Sequence, residues 1–179
     1  RHTRSFHVTG VQACALPILD RDLGNPGLFF AVLNFGNTIV RPASGWAIDR
    51  WGRPVVILPG LLISAVGIAL IGLAHDQFSF LLWGFVYGVA NGMIYTALIA
   101  LAMDRAPVSE RGSAIATFQW GWDMGSSASA FVLGALTGVL GYGGIFLLSA
   151  VCPVVGSALF TWAWRTRRLY IPARPTALE

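Results

Sequence analysis

Residues 45–53 read Gly45-Trp46-Ala47-Ile48-Asp49-Arg50-Trp51-Gly52-Arg53, a G-x-x-x-D-R-x-G-R string set between two apolar runs. The run before it (27–48) and the run after it (54–74) each have the roughly 20 mainly apolar residues that a helix needs to cross a bilayer. Three further runs follow, at 80–102, 113–138 and 142–164. So many runs of this length in 179 residues are not the buried helices of a soluble core. The predicted fold is all-α, a polytopic membrane helical bundle of about five transmembrane helices.

Composition agrees. Hydrophobic residues make up 55% and charged residues 11%, where soluble domains carry about 25% charged residues. Mean hydropathy is +0.66. The formal charge of +4 does not point to nucleic acid, because the basic residues, all Arg, sit in short connections rather than on one polar face. Without Lys there is no G-x-x-x-x-G-K-[ST] phosphate loop.

Residues 8–18, Val8-Thr9-Gly10-Val11-Gln12-Ala13-Cys14-Ala15-Leu16-Pro17-Ile18, resemble a translated sequencing adapter, so 1–18 is set aside as a non-native segment. That leaves 19–179 as a partial transmembrane domain. With Cys14, His2 and His7 removed, Cys152 and His75 stand alone, so no metal site, cofactor or disulfide framework is expected.

The connections alternate in charge. Arg50 and Arg53 lie in the first and Arg105 and Arg111 in the third, while 75–79 and 139–141 hold no basic residue. The tail carries Arg165, Arg167, Arg168 and Arg174. The positive-inside rule makes the basic side and the C-terminus cytoplasmic, in a multi-pass protein of the cell's inner (cytoplasmic) membrane.

The spacing at 45–53 has a chemical reading. Gly45 permits close helix contact and Gly52 a sharp turn. Asp49 ends a helix, where the dipole disfavours an anion, so it needs a partner such as Arg53 or the N-terminus of another helix. Such a latch holds one conformation and opens in another. Pro54 suits the first turn of the next helix.

This string resembles the loop motif of the major facilitator superfamily, which recurs once in each six-helix half. The resemblance makes Gly45, Asp49, Arg50, Gly52 and Arg53 the gating-loop residues. It continues through Leu28-Phe29-Phe30, Arg41-Pro42-Ala43-Ser44-Gly45, Ser109-Glu110-Arg111-Gly112-Ser113-Ala114 and Trp122-Asp123-Met124-Gly125. Residues 19–179 then look like helices eight to twelve, a C-terminal-half fragment whose partner is the missing N-terminal half of the same transporter. Pro54 stands where the family has a further basic residue, and Thr96 follows Tyr95 where Pro is common. The resemblance implies secondary active transport of a small molecule, proton-coupled efflux of drugs or metabolites, with solute, protons and the lipid bilayer as partners.

Polar residues inside the spans mark the candidate cavity. Asn34, Asn37, Thr38, Arg41 and Ser44 follow helical steps along the first span. Asp123 lies near mid-bilayer, where an unpaired carboxylate is costly. Asn91 and Tyr95 lie four apart on the third span. Gly84, Gly88 and Gly92, and in the fourth span Gly121, Gly125, Ser129, Gly134 and Gly138, form small-residue ridges for helix packing. Two rivals to transport are a truncated fragment inactive alone and a membrane-embedded enzyme. The enzyme finds no clustered acid, base or nucleophile beyond His75.

Overall fold

A computed structural model describes residues 25–166 of the chain. The described residues are helical throughout apart from short connections, and contain no strand. The helices are α1 (Pro26–Trp51), α2 (Pro54–Leu73), α3 (Gln77–Arg105), a 3-10 turn (Val108–Glu110) and α4 (Arg111–Arg165). The segment 1–24 and the tail with Arg167, Arg168 and Arg174 lie outside the described residues.

Local chemistry sets the helix ends. The side chain of Asn25 accepts a hydrogen bond of 2.8 Å from the Gly27 amide, and Pro26 opens α1. The helix runs through most of the 45–53 string and stops only at Gly52, whose φ of 85° suits glycine. The connection is therefore just Gly52 and Arg53, since nothing between Gly45 and Trp51 breaks a helix. Pro54 then starts α2. Asp76 caps α3, accepting from the Ser79 amide at 2.8 Å and the Ser79 hydroxyl at 2.9 Å.

Those Ser79 bonds hold the Asp76 carboxyl below its ordinary 3.8. A depressed folded value stabilises the fold above the unfolded value and loses that contribution as pH falls through the folded one. Asp76→Ala is accordingly expected to lower the midpoint of thermal unfolding at pH 7, with the difference from wild type closing below about pH 4. A pH series of melting curves checks it, with Asp76→Asn, which keeps a capping oxygen, expected to lose less.

At about 1.5 Å per residue, α4 is far too long to cross a bilayer once. It changes direction at Gly141, which has φ 63° and ψ 172°, outside helical values. The second arm (Gly144–Arg165) packs along α2, where Leu147, Ala150, Val151 and Val154 face Ala65, Val66 and Ala69 across a shallow apolar groove. The first arm makes only a light contact with α3. Pro153 keeps helical backbone angles, so the break falls at the glycine rather than at the proline.

Packing runs in the order α1, α3, α2, second arm of α4. The α1–α3 seam rests on the predicted glycine ridge. A Cβ on Gly84 would enter the Phe29 ring, one on Gly88 the Leu33 carbonyl, and one on Gly92 the Asn37 carbonyl. Gly36 of α1 answers across the seam, its would-be Cβ 2.7 Å from the Phe85 carbonyl. Only bare backbone allows this approach. The other ridge behaves differently: Cβ atoms on Gly121, Gly125 and Gly134 would meet nothing within 4 Å among the described residues. The packing expected there is absent at these three glycines among the described residues.

Two apolar clusters fix the ends of the bundle. Phe29, Leu33, Ile71, Ala74, Phe80 and Phe146 gather at one end. Ile48, Val56, Ile57, Ala97 and Leu101 gather at the other, with Phe160 against them. Successive helices therefore run up and down. The connection at Gly52 shares an end with the C-terminus of α3, as the alternation of basic connections predicts.

Among the described residues, three helical stretches are long and apolar enough to cross a membrane: Pro54–Leu73, Gln77–Arg105 and Gly144–Arg165. The polar groups carried by α1 and by the first arm of α4 lower their hydropathy, and those groups form the candidate site.

Candidate functional site

α1 presents three faces. Phe29, Leu33, Gly36 and Ser44 are buried along α3, with Asn37 half-buried beside them. Leu28, Phe35, Ile39 and Trp46 form an exposed apolar stripe on a second face, with Phe35 reaching Phe85 of α3 at 6.5 Å. Asn34, Thr38 and Arg41 lie on the third face, exposed, on the flank of the α3 contact. Helical steps of three and four keep each set in line.

Arg41 is oriented within its own helix. Its Nε and Nη2 donate to Asn37 Oδ1 at 3.2 and 2.9 Å. The guanidinium carbon then lies 5.3 Å from the centre of the Tyr95 ring on α3, within range of a cation–π contact. Tyr95 carries the line onward, its hydroxyl donating to Gln119 Oε1 on α4 at 2.8 Å. Gln119 Nε2 donates in turn to Asp123 Oδ1 at 3.3 Å, one helical turn further. Phe118 and Trp122 pack around Tyr95, with ring centres 5.9 and 5.4 Å from it. One polar seam, Asn37–Arg41–Tyr95–Gln119–Asp123, thus joins three helices and is walled by three aromatic rings.

The seam gathers four of the six residues predicted for the cavity. Asn34 lies outside it, its amide donating to the Phe30 carbonyl of its own helix at 2.7 Å. Asn91 bonds Tyr87 at 3.3 Å, one turn back along α3. Of the two tryptophans just before Asp123, Trp122 faces the seam and Trp120 is exposed, since residues two apart on a helix point about 200° apart. Gln119 was missed. Its signal is its position four before Asp123, the helical step already used for Asn91 and Tyr95.

The gating-loop string needs two corrections. Arg53 pairs with Asp104 at the end of α3, through Nη2 and Oδ2, and not with Asp49. Both side chains are only 20% exposed, so this pair is largely shielded from water. The turn at Gly52 carries Arg53 across to the α3 terminus, away from the last turn of α1. Asp49 is exposed, and no hydrogen bond or ion pair holds it among the described residues. Gly45 makes no close helix contact among the described residues, since a Cβ there would meet nothing within 4 Å. Arg50 lies over Trp46 at 5.6 Å, and Trp46 meets Trp51 edge to face at 5.3 Å. The described residues hold no group of His, Cys, Asp and Glu that could ligate a metal.

An all-helical bundle with apolar flanks and a polar seam through its helices is the architecture of a multi-pass membrane protein. The chain belongs to the Major Facilitator Superfamily, which it matches over residues 6–177. Among its relatives is the "Acurin A biosynthesis cluster MFS-type transporter" of Aspergillus aculeatus, 28% identical over 155 residues, covering 85% of this chain and 28% of that one. The "Cis,cis-muconate transport protein" of Acinetobacter baylyi is 27% identical over 138 residues, 74% of this chain and 33% of that one. "Multidrug resistance protein MdtG" of Enterobacter lignolyticus is 30% identical over 124 residues, 69% of this chain and 29% of that one. The chain spans about a third of the length of these relatives.

Proposed function

We propose that this chain is the C-terminal-half segment of a secondary active transporter that moves a small drug or metabolite outward in exchange for protons. The observation that carries the proposal is the continuous polar seam from Asn37 to Asp123 within an apolar bundle. Polar groups at this depth are retained where they face protein or a water-filled path. In alternating access such a path lies between two pseudo-symmetric halves. Relatives named for multidrug resistance and for muconate transport are consistent with small organic solutes. Asp123 is the proton-responsive group, and Gln119 sets its orientation. The protein sits in the cytoplasmic membrane with the basic connections and the C-terminus inside, and residues 1–18 are adapter-derived.

In the same reading the end of α1 is the gate. Arg53–Asp104 ties the turn to α3, and Asp49 is left for the helix N-terminus of the other half, whose positive end favours an anion.

The test is solute flux in proteoliposomes holding the complete transporter, driven by an imposed pH gradient. Asp123→Asn is expected to reduce gradient-driven flux at least tenfold while leaving solute–solute exchange within about threefold, an expectation that follows from removing the titrating group alone. Unchanged gradient-driven flux in that variant would refute the proton role. The unpartnered glycines of the first arm of α4 favour a second reading for the chain by itself, that it transports nothing without its other half. Robust flux from residues 19–179 alone would overturn it.

A further inference from the structure

We infer that the solute recognised by this seam is an organic anion: a carboxylate, or a similar flat oxyanion, on a planar apolar body. The inference rests on the transport reading above and narrows its substrate class.

Arg41 is the only basic residue inside the five apolar runs. Its partners among the described residues are neutral: the Asn37 amide oxygen and the face of Tyr95. It forms no ion pair with Asp123, since Tyr95 and Gln119 stand between them in the seam. Asn37 therefore aims the guanidinium without neutralising it. A fixed positive charge within a bilayer span is costly and is kept where an anion comes to meet it.

The donor geometry supports the same ligand. Asn37 engages Nε and one N–H of Nη2. Nη1 and the second N–H of Nη2 remain, side by side at the tip, on an exposed side chain. That pair matches the two oxygens of a carboxylate, the bidentate arrangement for which Arg is suited and Lys is not.

The walls define the rest of the solute. Tyr95, Phe118 and Trp122 form one aromatic cluster beside the guanidinium, with ring centres 5.4 to 6.1 Å apart. Aromatic faces favour a flat apolar body by offset or edge contact. A cationic solute would meet the like charge of Arg41 at one end of the seam.

The experiment is equilibrium binding to the complete transporter in lipid nanodiscs, using 2-naphthoate, 2-naphthamide and 2-naphthylmethylammonium. These share one flat body and differ in charge. The expected result is naphthoate bound at least tenfold tighter than either of the others. Arg41→Gln should erase that preference, and Arg41→Lys should retain part of it through charge alone. Equal affinities, tighter binding of the ammonium, or a preference that survives Arg41→Gln would overturn the inference. If Arg41→Gln does not fold, the ranking of the three probes by the wild type decides. Flux of the same probes separates the two layers. Naphthoate bound but never moved keeps the anion site and sinks the transport reading. An ammonium moved in preference to naphthoate does the reverse.

Discussion

Gly88→Leu is expected to separate α1 from α3 and unfold the bundle at temperatures where the wild type is intact. A Cβ at Gly88 would fall on the Leu33 carbonyl oxygen, and a backbone group cannot rotate aside as a flexible side chain can. Overpacking ordinarily costs about 1–3 kcal/mol. Gly88→Ala belongs near about 3 kcal/mol, the top of that range, because the obstacle is main chain. Leucine adds three more heavy atoms in the same place. Gly121→Ala supplies the contrast: it meets nothing within 4 Å, and alanine favours helix over glycine by about 1 kcal/mol. Thermal unfolding of the detergent-solubilised chain should therefore rank Gly88→Leu far below Gly88→Ala, and Gly121→Ala level with or above wild type. Equal tolerance at residues 88 and 121 would contradict the packing described.

The second large effect is expected at Asp104. Asp104→Asn removes the carboxylate that Arg53 meets at the end of α3. Removing one partner of a fully buried pair costs about 3–5 kcal/mol, and exposure of a fifth of each side chain places this one below about 3 kcal/mol. Arg53→Asp combined with Asp104→Arg should recover part of the loss, which a double-mutant cycle in denaturant measures. Asp49→Asn is expected to change stability by less than about 0.5 kcal/mol, since Asp49 is exposed and makes no pair among the described residues. The opposite ranking would restore the Asp49–Arg53 pairing, one of the two partnerships that the motif suggested for Asp49.

That motif shows where sequence reasoning reaches its limit. The order of apolar runs, the turn at Gly52 and the first turn at Pro54 were legible because each is a local property. The α3 glycine ridge was legible because its spacing repeats every four residues. The partner of Arg53 was not, because Asp104 lies 51 residues along the chain and is brought back only by the up-and-down path of α2 and α3. The seam was half legible. Asp123, Arg41, Asn37 and Tyr95 stand out as polar groups in apolar runs, but periodicity ranks Asn34 and Asn91 equally with them. Only the helix packing separates the two sets, by turning Tyr95 toward Gln119 and leaving Asn34 to its own backbone. The second glycine ridge, around Gly121 and Gly125, reads in sequence like the first, yet only one of the two meets a neighbouring helix here.

Thiol accessibility along α4 tests most directly whether the seam lines the solute path. In the complete transporter, with every native cysteine, Cys152 included, replaced by serine, single cysteines are placed at Gln119 and at Leu159. Gln119 is in the seam, and Leu159 is exposed on the apolar second arm of α4. A membrane-impermeant thiol reagent should label Gln119→Cys at least tenfold faster than Leu159→Cys, and transported solute should slow that labelling. Labelling of Gln119→Cys as slow as that of Leu159→Cys, with no effect of solute, would contradict the account.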